Sequence, residues 1–117
     1  MIYSGTALNA SLLPSGIVNL TFDLENSSVN KFNEITLREL REAVDVLKNT
    51  EAVGLILSSA KPAFIVGADI TEFTEMFAES EEKIENWLVR GNQIFNDIED
   101  LPYPTVSAVN GMALGGG

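Results

Sequence analysis

The sequence of 117 residues has no cysteine and no histidine. Without cysteine there are no disulfides and no thiolate metal sites. Without histidine a Ser-His-Asp or Cys-His nucleophile cannot be assembled, and imidazole metal sites fail for the same reason. No metal site is assigned. Cations are scarce: seven Lys and Arg stand against 17 Asp and Glu, a net charge of −10. That balance would repel a phosphate backbone, so nucleic acid is not an expected partner. No apolar run approaches the length of a membrane span. Residues Met1 to Leu13 contain neither Lys nor Arg and no long apolar block, unlike a secretory signal or an Arg-rich transit peptide. The triplets at Asn9, Asn19 and Asn26 fit a glycosylation pattern, but with no secretion signal they carry no weight. The expected compartment is the cytoplasm.

What is present is apolar content, 45% of the chain, enough to exclude disorder and to build one core. Residues 1–117 read as a single domain. Thr6 to Leu13 and Ile17 to Phe22 are β-type runs around Pro14-Ser15-Gly16, which predicts a hairpin. Leu24 to Asn33 is polar and loop-like. Leu37, Leu40, Val44 and Leu47 then recur at helical spacing, with Thr36-x-x-Glu39 as a capping box and Asn33 as a competing cap. Val53 to Leu57 and Thr105 to Val109 are short apolar runs, expected as strands buried on both faces. Ala63 to Asp69 is a further apolar segment, leading into a short helix at Ile70 to Phe73. Ser80 can cap another helix, whose stripe is Ile84, Trp87, Leu88, Ile94 and Ile98, stopped by Leu101-Pro102-Tyr103-Pro104. Between Glu72 and Glu85 lie six Glu and one Lys, read as a solvated helix face. Strands and helices alternate, so the class is α/β. Ending on three glycines, where a strand should hand over to a helix, suggests a truncated product.

With no His or Cys, and with Asp69 alone among the carboxylates in an apolar setting, the backbone is the main chemical tool. Two glycine-containing turns follow apolar segments: Ile65 to Ile70, and Gly111 to Gly117. Glycine lets the main chain approach a ligand, and amides at a helix start carry partial positive charge. One amide from each turn could converge on one oxygen as an oxyanion hole. Each turn alone is equally a plain connector. Gly111 and Gly116 have phosphate-loop spacing, but Gly117 occupies the position of the required Lys, and G-x-G-x-x-G is absent.

Ala63-Phe64-Ile65-Val66-Gly67-Ala68-Asp69-Ile70 resembles the first signature of the crotonase (enoyl-CoA hydratase/isomerase) superfamily, and Pro104 to Gly117 resembles the second. Ser28 to Asn33, Pro62 to Phe73 and Leu101 to Pro104 are similar to one branch, the multifunctional α subunits of bacterial fatty-acid oxidation complexes. The resemblance implies a crotonase-like ββα spiral, here its N-terminal part. It implies a CoA thioester as substrate, with oxyanion-hole amides at Ala68 and Gly116. It places Val29, Lys31, Phe64, Val66, Gly67, Asp69, Ile70, Met112, Leu114 and Gly115 beside the substrate, with Lys31 and Lys61 best placed to offset its phosphates. The family's acid-base glutamates fall after the glycine run, so no Glu here inherits their role and the chain itself is expected to be inactive. For the branch, the resemblance further implies a later NAD-dependent 3-hydroxyacyl-CoA dehydrogenase region and a thiolase (β) subunit as partner. No cofactor is expected within these residues. The alternative is a crotonase-like acyl-CoA binding or structural module without catalysis. Self-association of the chain is also expected.

Overall fold

Alternation of apolar and polar residues at the start of the chain sets the first layer. In the computed structural model, which describes every residue's backbone and all side chains except those of Phe73 and Phe77, strands β1 (Tyr3–Ser4), β2 (Leu8–Leu12) and β3 (Ile17–Phe22) form an antiparallel meander. The expected hairpin is there. Its turn closes through the Leu13 N–H to the Ile17 carbonyl (2.8 Å) and the Gly16 N–H to the Leu13 carbonyl (2.9 Å). β2 is shorter than Thr6 to Leu13, and the two-residue β1 escaped the sequence reading.

Register pairs Leu8 with Phe22, Ala10 with Leu20 and Leu12 with Val18. This puts Leu8, Ala10, Val18, Leu20 and Phe22 on one buried face. Helix α1 (Glu34–Lys48) lays Leu37, Leu40, Val44 and Leu47 on that face. β4 (Gly54–Ser59) then pairs parallel with β3, and β5 (Thr105–Ser107) parallel with β4, giving one sheet in the order β1-β2-β3-β4-β5. Between them run α2 (Ile70–Glu79) and α3 (Glu81–Glu99). Ile94 of α3 enters the common core, while Leu88 stays about half-exposed. The α/β class and, apart from β1, the element order match the sequence reading.

Several local expectations are corrected. The cap of α1 is Asn33, whose Oδ1 accepts the N–H and the hydroxyl of Thr36, both at 2.8 Å. Glu39 makes no capping box because its carboxylate is turned to the amides of residues 6–8. The helix at Ile70 runs to Glu79 rather than ending at Phe73. Asp69 caps it through the N–H groups of Thr71 and Glu72, and Ser80 caps α3 as expected.

Nor are the two apolar strands buried on both faces. In β4 only Leu55 is fully buried; β5 ends at Ser107 rather than Val109 and is largely exposed, with Val106 60% accessible and Val109, beyond the strand, 57%. The cause is one-sided cover. The face opposite α1 carries Asn9, Ser11, Asn19, Thr21 and Ser58, a polar surface that water solvates. Ser58 donates there to Asn19 Oδ1 at 2.8 Å. Ile56 and Val106 continue that same face without an apolar neighbour layer.

Candidate active site

Three segments distant in sequence lie side by side beyond the main sheet. Asn30–Phe32, Phe64–Asp69 and Met112–Leu114 are joined by short parallel bridges, Phe32 with Ala68 and Ile65 with Ala113. On one edge Val66 N–H reaches the Asn30 carbonyl (2.9 Å), Phe32 N–H the Gly67 carbonyl (2.7 Å) and Asp69 N–H the Phe32 carbonyl (3.2 Å). On the other, Phe64 N–H reaches Met112 (2.9 Å) and Leu114 N–H reaches Ile65 (3.1 Å). The two glycine turns singled out in the sequence therefore meet.

Asn30, which the sequence reading did not single out, is the hub of this arrangement. It is 1% exposed. Its Oδ1 accepts the Leu24 N–H at 3.0 Å, and its Nδ2 donates to the Phe22 carbonyl, Ser59 Oγ and the Phe64 carbonyl at 3.2, 2.8 and 3.0 Å. A buried amide satisfied in this way specifies one arrangement of the strands around it. Nothing in its periodicity marks it, since it sits in a polar loop.

Backbone approach explains the glycine at 67. It holds φ +91°, and a Cβ there would lie 2.8 Å from the Leu114 carbonyl oxygen. A side chain would force the two turns apart. Phe32 bonds to the residues on either side of Ala68, so the Ala68 N–H faces away from Phe32. Among the described residues neither the Ala68 nor the Gly116 N–H has a protein acceptor.

Ala68, Gly115 and Gly116 line one cavity of about 240 Å³, walled by Phe32, Leu37, Trp87, Leu88 and Phe95, with Gly91 and Asn92. A second cavity of about 250 Å³ shares Phe32, Phe95 and Gly116 and extends to Phe64, Leu57 and Ser107. Phe32 and Phe95 form an edge-to-face pair, centroids 5.4 Å apart, between the two. Among the described residues no carboxylate lines the Ala68 cavity; Glu99 lines its neighbour.

The remaining predicted site residues lie outside both cavities. Lys31 pairs with Asp69 at 3.0 Å. That contact, opposed by partial burial and helped by the Glu72 and Thr71 amides, holds the Asp69 carboxyl below its usual range. Lys61 pairs with Asp23 at 3.3 Å and donates to the Ser27 carbonyl at 2.7 Å. Both candidate phosphate-binding cations are thus already engaged. Val29 and Val66 are half-buried; Ile70, Met112 and Leu114 are exposed at 82%, 60% and 52%.

Residues 13–117 match the enoyl-CoA hydratase/isomerase family. The whole chain is 55% identical to the fatty acid oxidation complex subunit alpha of Pseudomonas entomophila and 54% identical to that of Pseudomonas putida, spanning 16% of the length of each. The structure superposes on an enoyl-CoA hydratase from Bacillus anthracis with a TM-score of 0.82 at 25% identity, over 95% of this chain and 42% of that one. Another enoyl-CoA hydratase, from Shewanella pealeana, shares the fold with a TM-score of 0.85 at 22% identity, over 94% of this chain and 41% of that one. With its two glycine turns brought together and its sequence matched over nearly its full length, the chain belongs to the enoyl-CoA hydratase/isomerase (crotonase) family.

Proposed function

We propose that this chain holds the thioester of an acyl-CoA, with the Ala68 and Gly116 amides as paired donors to its carbonyl oxygen, as part of a fatty-acid β-oxidation enzyme. One observation carries the reading: two amides with no protein acceptor border one apolar cavity. Negative charge collects on the thioester oxygen when an enoyl-CoA is hydrated or its double bond is moved. Two fixed N–H groups meet that charge without reorganising, and one such donor is worth about 3 kcal/mol in other enzymes. Val66, Gly67, Asp69 and Ile70 follow the same turn and flank the CoA side, with Val29 and Lys31 near its nucleotide. Met112, Leu114 and Gly115 border the thioester from the second turn.

Hydration of trans-2-enoyl-CoA and Δ3-to-Δ2 isomerisation also need carboxylates to activate water and to move a proton to carbon. The carboxylate-free lining of the Ala68 cavity supports the reading that this chain binds but does not turn over. The same observation favours a second reading, an acyl-CoA binding module without catalysis. For the whole protein the resemblance to that branch leads us to propose an NAD-dependent dehydrogenase region, a thiolase subunit as partner and a cytoplasmic location. Two measurements test this. Purified 117-residue chain, free of host hydratase, is expected to give no turnover of crotonyl-CoA above background. Calorimetry is expected to show tighter binding of acyl-CoA than of free CoA. Turnover would overturn the division of labour, and equal affinity for CoA with and without the acyl group would overturn the site.

A further inference from the structure

Gly91 lies inside α3, is buried, and faces the cavity that holds Ala68 and Gly116. A buried glycine is ordinarily explained by a neighbour that leaves no room for a side chain. That holds at Gly67, which is buried and where a Cβ would lie 2.8 Å from the Leu114 carbonyl oxygen. At Gly91 a Cβ would meet nothing within 4 Å. Packing does not require the glycine, and a helix interior is weakened by it relative to alanine. What its missing side chain leaves is open volume in a wall that includes Phe32, Trp87 and Phe95.

We propose that Gly91 is a specificity-determining residue that keeps this cavity open for the alkyl chain of the acyl group, and so sets the chain length accepted. The inference rests on the reading of Ala68 and Gly116 as donors to the thioester carbonyl, which puts the first carbons of the chain at the cavity. The lining is apolar apart from Asn92 and backbone, which suits a hydrocarbon. The volume of about 240 Å³ falls below the ~300–1,000 Å³ of a site that encloses a whole drug-sized ligand, as fits one limb of a larger molecule. The Phe32–Phe95 pair is shared between this cavity and its neighbour.

Saturated thioesters, which cannot be hydrated, separate binding from turnover. Butyryl-, octanoyl- and lauroyl-CoA are titrated into the 117-residue chain and followed by calorimetry and by fluorescence of Trp87, its single tryptophan, which lines the same cavity. Gly91→Leu is expected to weaken octanoyl- and lauroyl-CoA about tenfold or more, leaving butyryl-CoA within about twofold. Gly91→Ala should shift the preference the same way by less, while raising the thermal midpoint; it decides the matter if the leucine variant does not fold. A glycine kept for packing would instead lower the midpoint and weaken all three ligands equally. Folded variants with wild-type affinities at every length would overturn the role of Gly91 and leave the carbonyl site standing. A wild-type chain that binds free CoA as well as any acyl-CoA would take down both.

Discussion

Glu39 is 4% exposed. Its carboxylate accepts the N–H groups of Thr6, Ala7 and Leu8 at 3.0, 2.8 and 3.3 Å, and the Thr6 hydroxyl at 2.8 Å. Burial opposes the charge, but the Ala7, Thr6 and Leu8 bonds outweigh it and hold the pKa below the usual value. Because the folded pKa is depressed, this stabilisation is complete above the unfolded value of about 4.3 and is lost as pH falls through the lower folded value. Glu39→Ala orphans buried amides and is expected to cost about 3 kcal/mol. Glu39→Gln should also flatten the acid limb of the stability curve. Urea denaturation at a series of pH values reads both effects; an unchanged acid limb in Glu39→Gln would show that other carboxylates govern it.

At the scale of the element, α1 joins the hairpin to the site, because it carries both Glu39 and the stripe from Leu37 to Leu47. Asn33 starts it, so Asn33→Ala should cost about 1 kcal/mol, seen as a lower denaturation midpoint with an unchanged slope. A loss under a few tenths would mean that Thr36 caps adequately alone. The hairpin, α1 and α3 were legible in the sequence because alternation and helical spacing are local signals. The ladder of Asn30–Phe32 with Phe64–Asp69 and Met112–Leu114 was not legible from periodicity. Its partners are far apart in the chain, and its hub is a polar loop asparagine. The glycine turns and the family resemblance point to Ala68 and Gly116 from the sequence, but that both line one cavity is visible only in three dimensions. Gly91 gave a faint signal, a glycine within the helical stripe, but whether it faced a neighbour or a void depended on the packing of α1 and α3. The one-sided burial of β4 and β5 is not legible in the sequence, because an apolar run does not reveal how many layers cover it.

Across the whole molecule, the helices cover one face of the sheet and leave the β5 side open. β5 is bonded to β4 alone, so its other edge presents unpaired backbone groups. Val106, Val109, Met112 and Leu114 are each more than half exposed nearby. Each Å² of apolar area left wet forfeits about 25 cal/mol. A few hundred Å² thus amounts to several kcal/mol, comparable with the ~5–15 kcal/mol total stability of a domain. Pairing β5 edges or faces between two copies recovers part of that loss. The net charge of −10 opposes growth beyond a small closed assembly. The 117-residue chain is therefore expected to dimerise or form a small oligomer in a concentration-dependent way. Added salt should strengthen association by screening the repulsion between copies. Val106→Lys together with Val109→Lys places charge on the open edge and should return the chain to monomer without unfolding it, since both side chains already face water. Sedimentation velocity over a wide concentration range measures this directly. A wild-type chain that stays monomeric throughout, or an oligomer indifferent to both lysines, would show that the β5 side is not where copies meet.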